Sequence, residues 1–136
     1  MRTELLTQQS PKLVLTKSTI NSNTTTAGTA VDMLGYDALT FFMNVESRTD
    51  GTYTPLVQES DDNSTFTDAA DADLYSGGVS STPEAAVART STGISSIAYR
   101  GAKRYVKFSV VSTSVTTGGS VSVTAVLMQP KMAVGS

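Results

Sequence analysis

Apolar residues in this chain recur at every second position over short stretches, and each stretch ends in a cluster of turn formers. Leu39, Phe41, Met43 and Val45 alternate with Thr40, Phe42 and Asn44, and Val121, Val123, Ala125 and Leu127 alternate with Ser122 and Thr124. A period of two sends successive side chains to opposite faces of an extended strand. No ten-residue segment carries the 3.6-residue period of an amphipathic helix. A chain so patterned must cover the apolar face of one sheet with another, which means a β-sandwich or a closed barrel.

Punctuation sets the strand count. Lys12–Lys17, Thr29–Leu34, Ala38–Val45, Gly51–Ser60, Thr65–Thr67, Ala85–Thr90, Ser95–Arg100, Lys103–Ser112 and the run from Val121 to Leu127 read as strand segments. Asp50-Gly51, Asp61-Asp62-Asn63-Ser64 and Gly118-Gly119 read as turns. Ser18–Thr26 reads as a loop, and Asp68–Pro83 as a long loop of the kind that often carries function. Pro55 has no N–H for a ladder, so its segment is expected at an edge or a bulge. The expectation is an all-β, two-sheet sandwich of jelly-roll or Greek-key type with about eight short strands. It forms a single domain over 1–136, with residues 1–11 an N-terminal arm and 130–136 a short C-terminal tail.

Threonine and serine make up between a quarter and a third of the 136 residues. Threonine suits a pleated surface and serine suits turns, so this bias agrees with the strand reading.

Chemistry is limited by what is missing. The sequence contains no histidine and no cysteine. Histidine is the commonest general base and transition-metal ligand near neutral pH, and cysteine supplies thiolate nucleophiles and zinc sites. Serine triads, Cys-His pairs and His-based metal centres are therefore excluded, and the expectation is a protein that is not an enzyme and uses no cofactor. Tryptophan is also absent, which weakens any sugar-stacking platform. The net charge of -2, with basic residues scattered singly and in pairs, gives no footprint for nucleic acid. No apolar run is long enough to span a bilayer, and the first residues do not read as a secretory signal. The chain is thus expected to be made in the cytoplasm, with no membrane partner.

Two charged groups remain. Glu59, Asp61, Asp62, Asp68, Asp71 and Asp73 lie close together in sequence, as calcium ligands do. The run DDNSTFTDAADA lacks the glycine and the closing glutamate of an EF-hand loop, so Asp61, Asp62 and Asp68 are weak metal candidates and a solvated turn is the simpler reading. Arg100, Lys103, Arg104 and Lys107 flank Tyr99 and Tyr105. A contact surface could use them together with Asp71 and Asp73, and internal ion pairing is the alternative. Strand phase places Glu59 with Tyr53 and Val57, and Arg104 with Val106 and Phe108, so Glu59 and Arg104 are expected to pair.

The segments DGTYTPLVQESDDNSTFTD (Asp50–Asp68) and AYRGAKRYVKFSV (Ala98–Val110) resemble small virion proteins encoded among the head genes of tailed bacteriophages, with a weaker match over VSVTAVLMQPK (Val121–Lys131). The resemblance covers about a third of the chain. It implies a capsid cement, or decoration, protein: a sandwich or jelly roll seated on the outside of the major capsid protein shell, often as a dimer or trimer. Other phage parts, such as tail, neck or head-fibre proteins, and a carbohydrate-binding module are the alternatives.

Overall fold

A computed structural model describes residues 10–70, 73–76 and 88–130. Ten strands make up the described fold: β1 (Ser10–Ile20), β2 (Thr24–Ala27), β3 (Val31–Asp32), β4 (Tyr36–Arg48), β5 (Thr52–Ser60), β6 (Thr67–Asp68), β7 (Leu74–Ser76), β8 (Gly93–Tyr99), β9 (Tyr105–Thr113) and β10 (Gly119–Pro130). They form two five-stranded antiparallel sheets. Sheet A runs β1-β10-β4-β8-β7, and sheet B runs β2-β9-β5-β6 with β3 also on β9. No helix is long and apolar enough to cross a membrane among the described residues.

The pairing is nested. β1 lies on β10, β2 and β3 on β9, β4 on β8, and β5 on β6, all antiparallel. This is one long two-stranded ribbon, closed between β5 and β6 and wound up so that β10 also meets β4 and β9 also meets β5. That winding is the jelly roll. If β2 and β3 count as one broken strand and β7 as an added edge, the expected eight strands are recovered.

Alternation delivers the core as the sequence implies. Leu39, Phe41, Met43 and Val45 of β4 and Val121, Val123, Ala125 and Leu127 of β10 are buried, as are Val106, Phe108 and Val110 of β9. Phe41 from sheet A and Phe108 from sheet B meet with ring centroids 4.9 Å apart, within the range of favourable aromatic pairs. Tyr53 and Tyr99 are also fully buried, each with its hydroxyl hydrogen-bonded. The Pro55 nitrogen lies on the side of β5 away from β9. There Tyr53 bonds to Arg89, and Val57 accepts from Ala69, so no ladder bond is lost.

The sheets are stitched at one side. Val14 sits at a β-bulge between Leu13 and Leu15, and its carbonyl accepts the Thr29 N–H at 2.9 Å. The Gly28 N–H goes to the Phe108 carbonyl at 2.9 Å. A Cβ on Gly28 would stand 2.5 Å from Val14 Cγ1 and 2.9 Å from the Phe108 oxygen, so the close approach requires glycine.

Several boundaries differ from the sequence reading. β1 begins at Ser10, inside the expected arm of residues 1–11, because Ser10 and Pro11 pair with Leu127 and Val126. Residues 1–9 lie outside the described residues. The expected loop Ser18–Thr26 contains the end of β1 and the start of β2. The expected strand Ala85–Thr90 is reduced, among the described residues, to a single bridge between Arg89 and Tyr53. β7 lies in the expected long loop, where three residues find a partner only because β8 offers its edge. Pro130 ends β10, and the remainder of the expected tail lies outside the described residues.

Phe41→Ala should cost about 3–5 kcal/mol of unfolding free energy, as large aromatic truncations in packed cores do. Leu34→Ala, at a side chain 68% exposed, should change stability by less than about 0.5 kcal/mol. Urea unfolding of both variants checks this, and equal losses would contradict the core assignment.

Candidate functional site: the two ends of the sandwich

The two ends of the sandwich differ in chemistry. At one end lie the close of β5, the start of β9, β3 and the turn after Ser60. Here Arg104 makes a bidentate pair with Asp32, Nε to Oδ1 and Nη2 to Oδ2, both at 2.8 Å. The Lys103 Nζ donates to Asp61 Oδ2 at 2.8 Å. Lys107 stands 4.5 Å from the Phe66 ring centroid, and the Arg100 guanidinium 5.9 Å from that of Tyr75. These contacts tie the basic group to partners within the chain. The Arg104 hydrogen bonds hold the Asp32 carboxyl below its ordinary range and raise the Arg104 guanidinium, and Asp61 raises the Lys103 amine.

The expected Glu59–Arg104 pair is corrected by this geometry. β9 begins at Tyr105, so Arg104 lies before the strand and outside its alternation. It turns to Asp32, whose strand lies beside the start of β9. Glu59 sits opposite Val106 and instead accepts the Tyr99 hydroxyl at 2.7 Å. Burial, and then that bond to Glu59, push the Tyr99 hydroxyl up.

The metal candidates each have other work. Asp62 accepts the Ser64 and Thr65 N–H groups, both at 2.9 Å, and the Ser60 hydroxyl at 2.8 Å. Those amides hold its carboxyl down at about 2. Asp68 accepts from Gln58 Nε2 at 3.0 Å, and Asp61 from Lys103. No three carboxylates converge as a metal cluster among the described residues. Of the expected contact residues, Asp73 offers its backbone carbonyl to the Arg100 N–H at 2.9 Å, and Asp71 lies outside the described residues. Two shallow cavities flank the Asp32–Arg104 pair. One, of about 300 Å³, is lined by Met33, Leu34, Tyr36 and residues 101–104. The other, of about 260 Å³, is lined by Lys12, Leu13 and residues 29–32.

The opposite end gathers three loops, 21–23, 49–51 and 114–118, and side chains bind them to one another. Asp50 in the β4–β5 turn accepts the N–H groups of Thr116, Thr117 and Gly118 at 2.8–3.1 Å. Asn23 Oδ1 accepts the Val115 N–H at 2.8 Å, and the Thr49 N–H reaches the Gly118 carbonyl at 2.8 Å. The Ser112 hydroxyl accepts the Thr24 N–H at 3.1 Å and donates to the Ser22 carbonyl at 2.9 Å. Gly118 has φ +92°, and a Cβ there would collide with the Ile20 carbonyl. The three amides hold the Asp50 carboxyl below its ordinary value. Several charged groups at this end engage loop backbone: Asp50 as above, Arg48 on the Gly51 carbonyl and Arg89 on the Thr92 carbonyl. Beside the loops Lys17 and the exposed Glu46 form a solvent-facing ion pair at 3.8 Å.

Sequence reasoning missed Asp32, Asp50 and Asn23 as organising residues. Asp50-Gly51 announces a turn, but nothing in the sequence couples it to an amide row 66–68 residues away.

No protein-family model and no curated protein sequence matches the chain. Two solved structures share its fold. The PBSX exported protein XepA aligns with TM-score 0.64 at 17% identity over 93% of this chain; the chain spans 39% of that protein's length. The SPBc2 prophage-derived protein YomS aligns with TM-score 0.57 at 18% identity, covering 88% of this chain and 91% of YomS.

Asp62 and Asp50 give a pH signature with a definite sign. A carboxylate whose folded pKa is depressed contributes fully above its ordinary value and loses that contribution as pH falls through the folded value. For Asp62 that window runs from 3.8 down to about 2. The melting temperature should therefore fall as pH drops through this window. Asp62→Asn should flatten the fall, measured by melting curves across the window; an unchanged slope would remove Asp62 from the account. Tyr99→Phe should cost about 1–2 kcal/mol in urea unfolding, because it deletes a hydrogen bond made by a buried hydroxyl.

Proposed function

We propose that this chain is a structural protein of a bacteriophage virion and, within that class, a capsid cement protein. It binds the outer surface of the major capsid protein shell as a homo-oligomer and stabilises it by contact, without catalysis. The observation that carries the reading is the jelly-roll fold, common to this chain and to a protein named as prophage-derived over most of both lengths.

The placement of the segments that resemble phage head-gene proteins adds support. Asp50–Asp68 supplies β5 and β6, and Ala98–Val110 supplies most of β9, so the two lie side by side in sheet B with Thr52–Ser60 paired against Tyr105–Thr113. The two stronger segments of the resemblance therefore lie mainly in sheet B, while the weaker one supplies most of β10 in sheet A. A cement protein also needs a core that does not deform under load. Strands joined by long-range antiparallel ladders and a close-packed interior meet that need. Repetition over many identical sites turns modest individual contacts into firm attachment.

Sedimentation with empty expanded capsids that lack this chain tests the proposal. Saturable co-pelleting at a fixed ratio to the major capsid protein, with capsids that resist heat better once coated, is the expected result. Rings or tubes formed by the chain alone, with no capsid binding, would point to a tail part and overturn it.

A further inference from the structure

The outer faces of the two sheets differ in charge. Phe41, Met43 and Val45 of β4 point into the core, so Thr40, Phe42 and Asn44 point out. The residues in register with those three on β1, β10, β8 and β7 are all uncharged. Leu13 and Ile94 stand toward opposite sides of this face, 61% and 65% exposed. They are two of the three large apolar side chains so exposed among the described residues. Phe42, Val126 and Ala98 lie half-buried between them. Charge stays at the margin, where Lys17 and Glu46 stand 3.8 Å apart. On the outer face of sheet B, by contrast, Lys107, Gln58 and Asp68 share one row, and Gln58 donates to Asp68.

A sheet face that meets only water is ordinarily polar. A neutral centre holding apolar groups inside a charged margin is instead the anatomy of a protein interface. The size agrees. β1, β10, β4 and β8 have 11, 12, 13 and 7 residues. At about 3.3 Å per residue and about 4.8 Å between strands, they offer a footprint on the order of 700 Å². A stable interface takes about 800 Å² from each partner.

The pattern also suits the face to its own copy. In a two-fold contact the same patch is used twice, so a charge near the axis would oppose itself. The three outward rows carry none. Leu13 and Ile94 lie in adjacent rows on opposite sides of the β10–β4 centre. A two-fold axis along the strands therefore brings the Leu13 side of each copy over the Ile94 side of the other.

From this neutrality, size and symmetry we infer that two copies of the chain pack the outer faces of sheet A together. The axis runs between β10 and β4, near Thr124 and Phe42. The inference rests on the homo-oligomer of the reading above and names its contact surface.

Sedimentation equilibrium of the purified chain should show a dimer at about 10 μM, within the range of affinities for interfaces of this size. Thr124→Lys puts like charges near the axis, and Ile94→Lys puts a charge on the apolar side; both positions are exposed. Each variant should keep the wild-type circular dichroism spectrum and weaken dimerisation at least about tenfold. Leu34→Lys, at an exposed apolar side chain beside Arg104 and away from this face, should stay within about twofold. Mixing Thr124→Lys with Thr124→Glu should restore dimers to within about threefold of wild type, because the axis sets the opposite charges together. A monomeric wild type, a dimer indifferent to both lysine variants, or a mixture that stays monomeric would overturn the inference. If a monomeric wild type pellets with empty expanded capsids and Ile94→Lys does not, the face meets the shell instead, and the virion reading stands. A dimer that responds to the variants as stated but pellets with no capsid would keep the face and remove the virion reading.

Discussion

Phe41 and Phe108 meet at the centre of the sandwich, one from each sheet, and the arrangement of the other strands follows from the need to keep such contacts dry. Each sheet has one apolar face, and only the other sheet can cover it. β4 and β10 carry the inner face of sheet A, while β5 and β9 carry that of sheet B. A one-residue slip in any of these ladders would turn a whole row of Val, Leu and Phe to water. Register is thus set by burial, and the nested winding is a route by which one chain can place two such sheets face to face with short connections.

The edges of the sheets are treated consistently. β1, the longest edge strand, carries Pro11, Lys12 and Lys17 and is interrupted by a bulge at Val14. β6 and β7 have two and three residues, and the β2–β3 edge is broken where Gly28 crosses toward Val14. Short, charged or interrupted edges resist pairing with another chain. The fold therefore discourages contact by strand addition.

Those ends use polar groups in opposite ways. At one, cations and carboxylates are matched within the molecule, and exposed pairs such as Asp32–Arg104 fix geometry more than they add stability. At the other, the Asp50 carboxylate is taken up by backbone amides and ties two loops together. Asp50 is central to that arrangement because a carboxylate has enough lone pairs to accept several amides at once.

The sequence by itself determined the fold class, the single sandwich core and which residues of β4, β9 and β10 point inward, because alternation is a local property that burial enforces directly. It also limited chemistry through the absence of histidine and cysteine. It did not determine β2, β3 and β7, which are too short to show a period and exist because β9 and β8 offer them an edge. Nor did it determine the partner of Arg104. Strand phase predicts neighbours only inside a strand, and Arg104 stands one residue outside, where the approach of β3 decides. The joining of Asp50 to Thr116–Gly118 and of Asn23 to Val115 likewise belongs to tertiary structure. Bonds between residues 66 to 92 positions apart depend on where the winding brings the loops together, and no local pattern encodes that meeting.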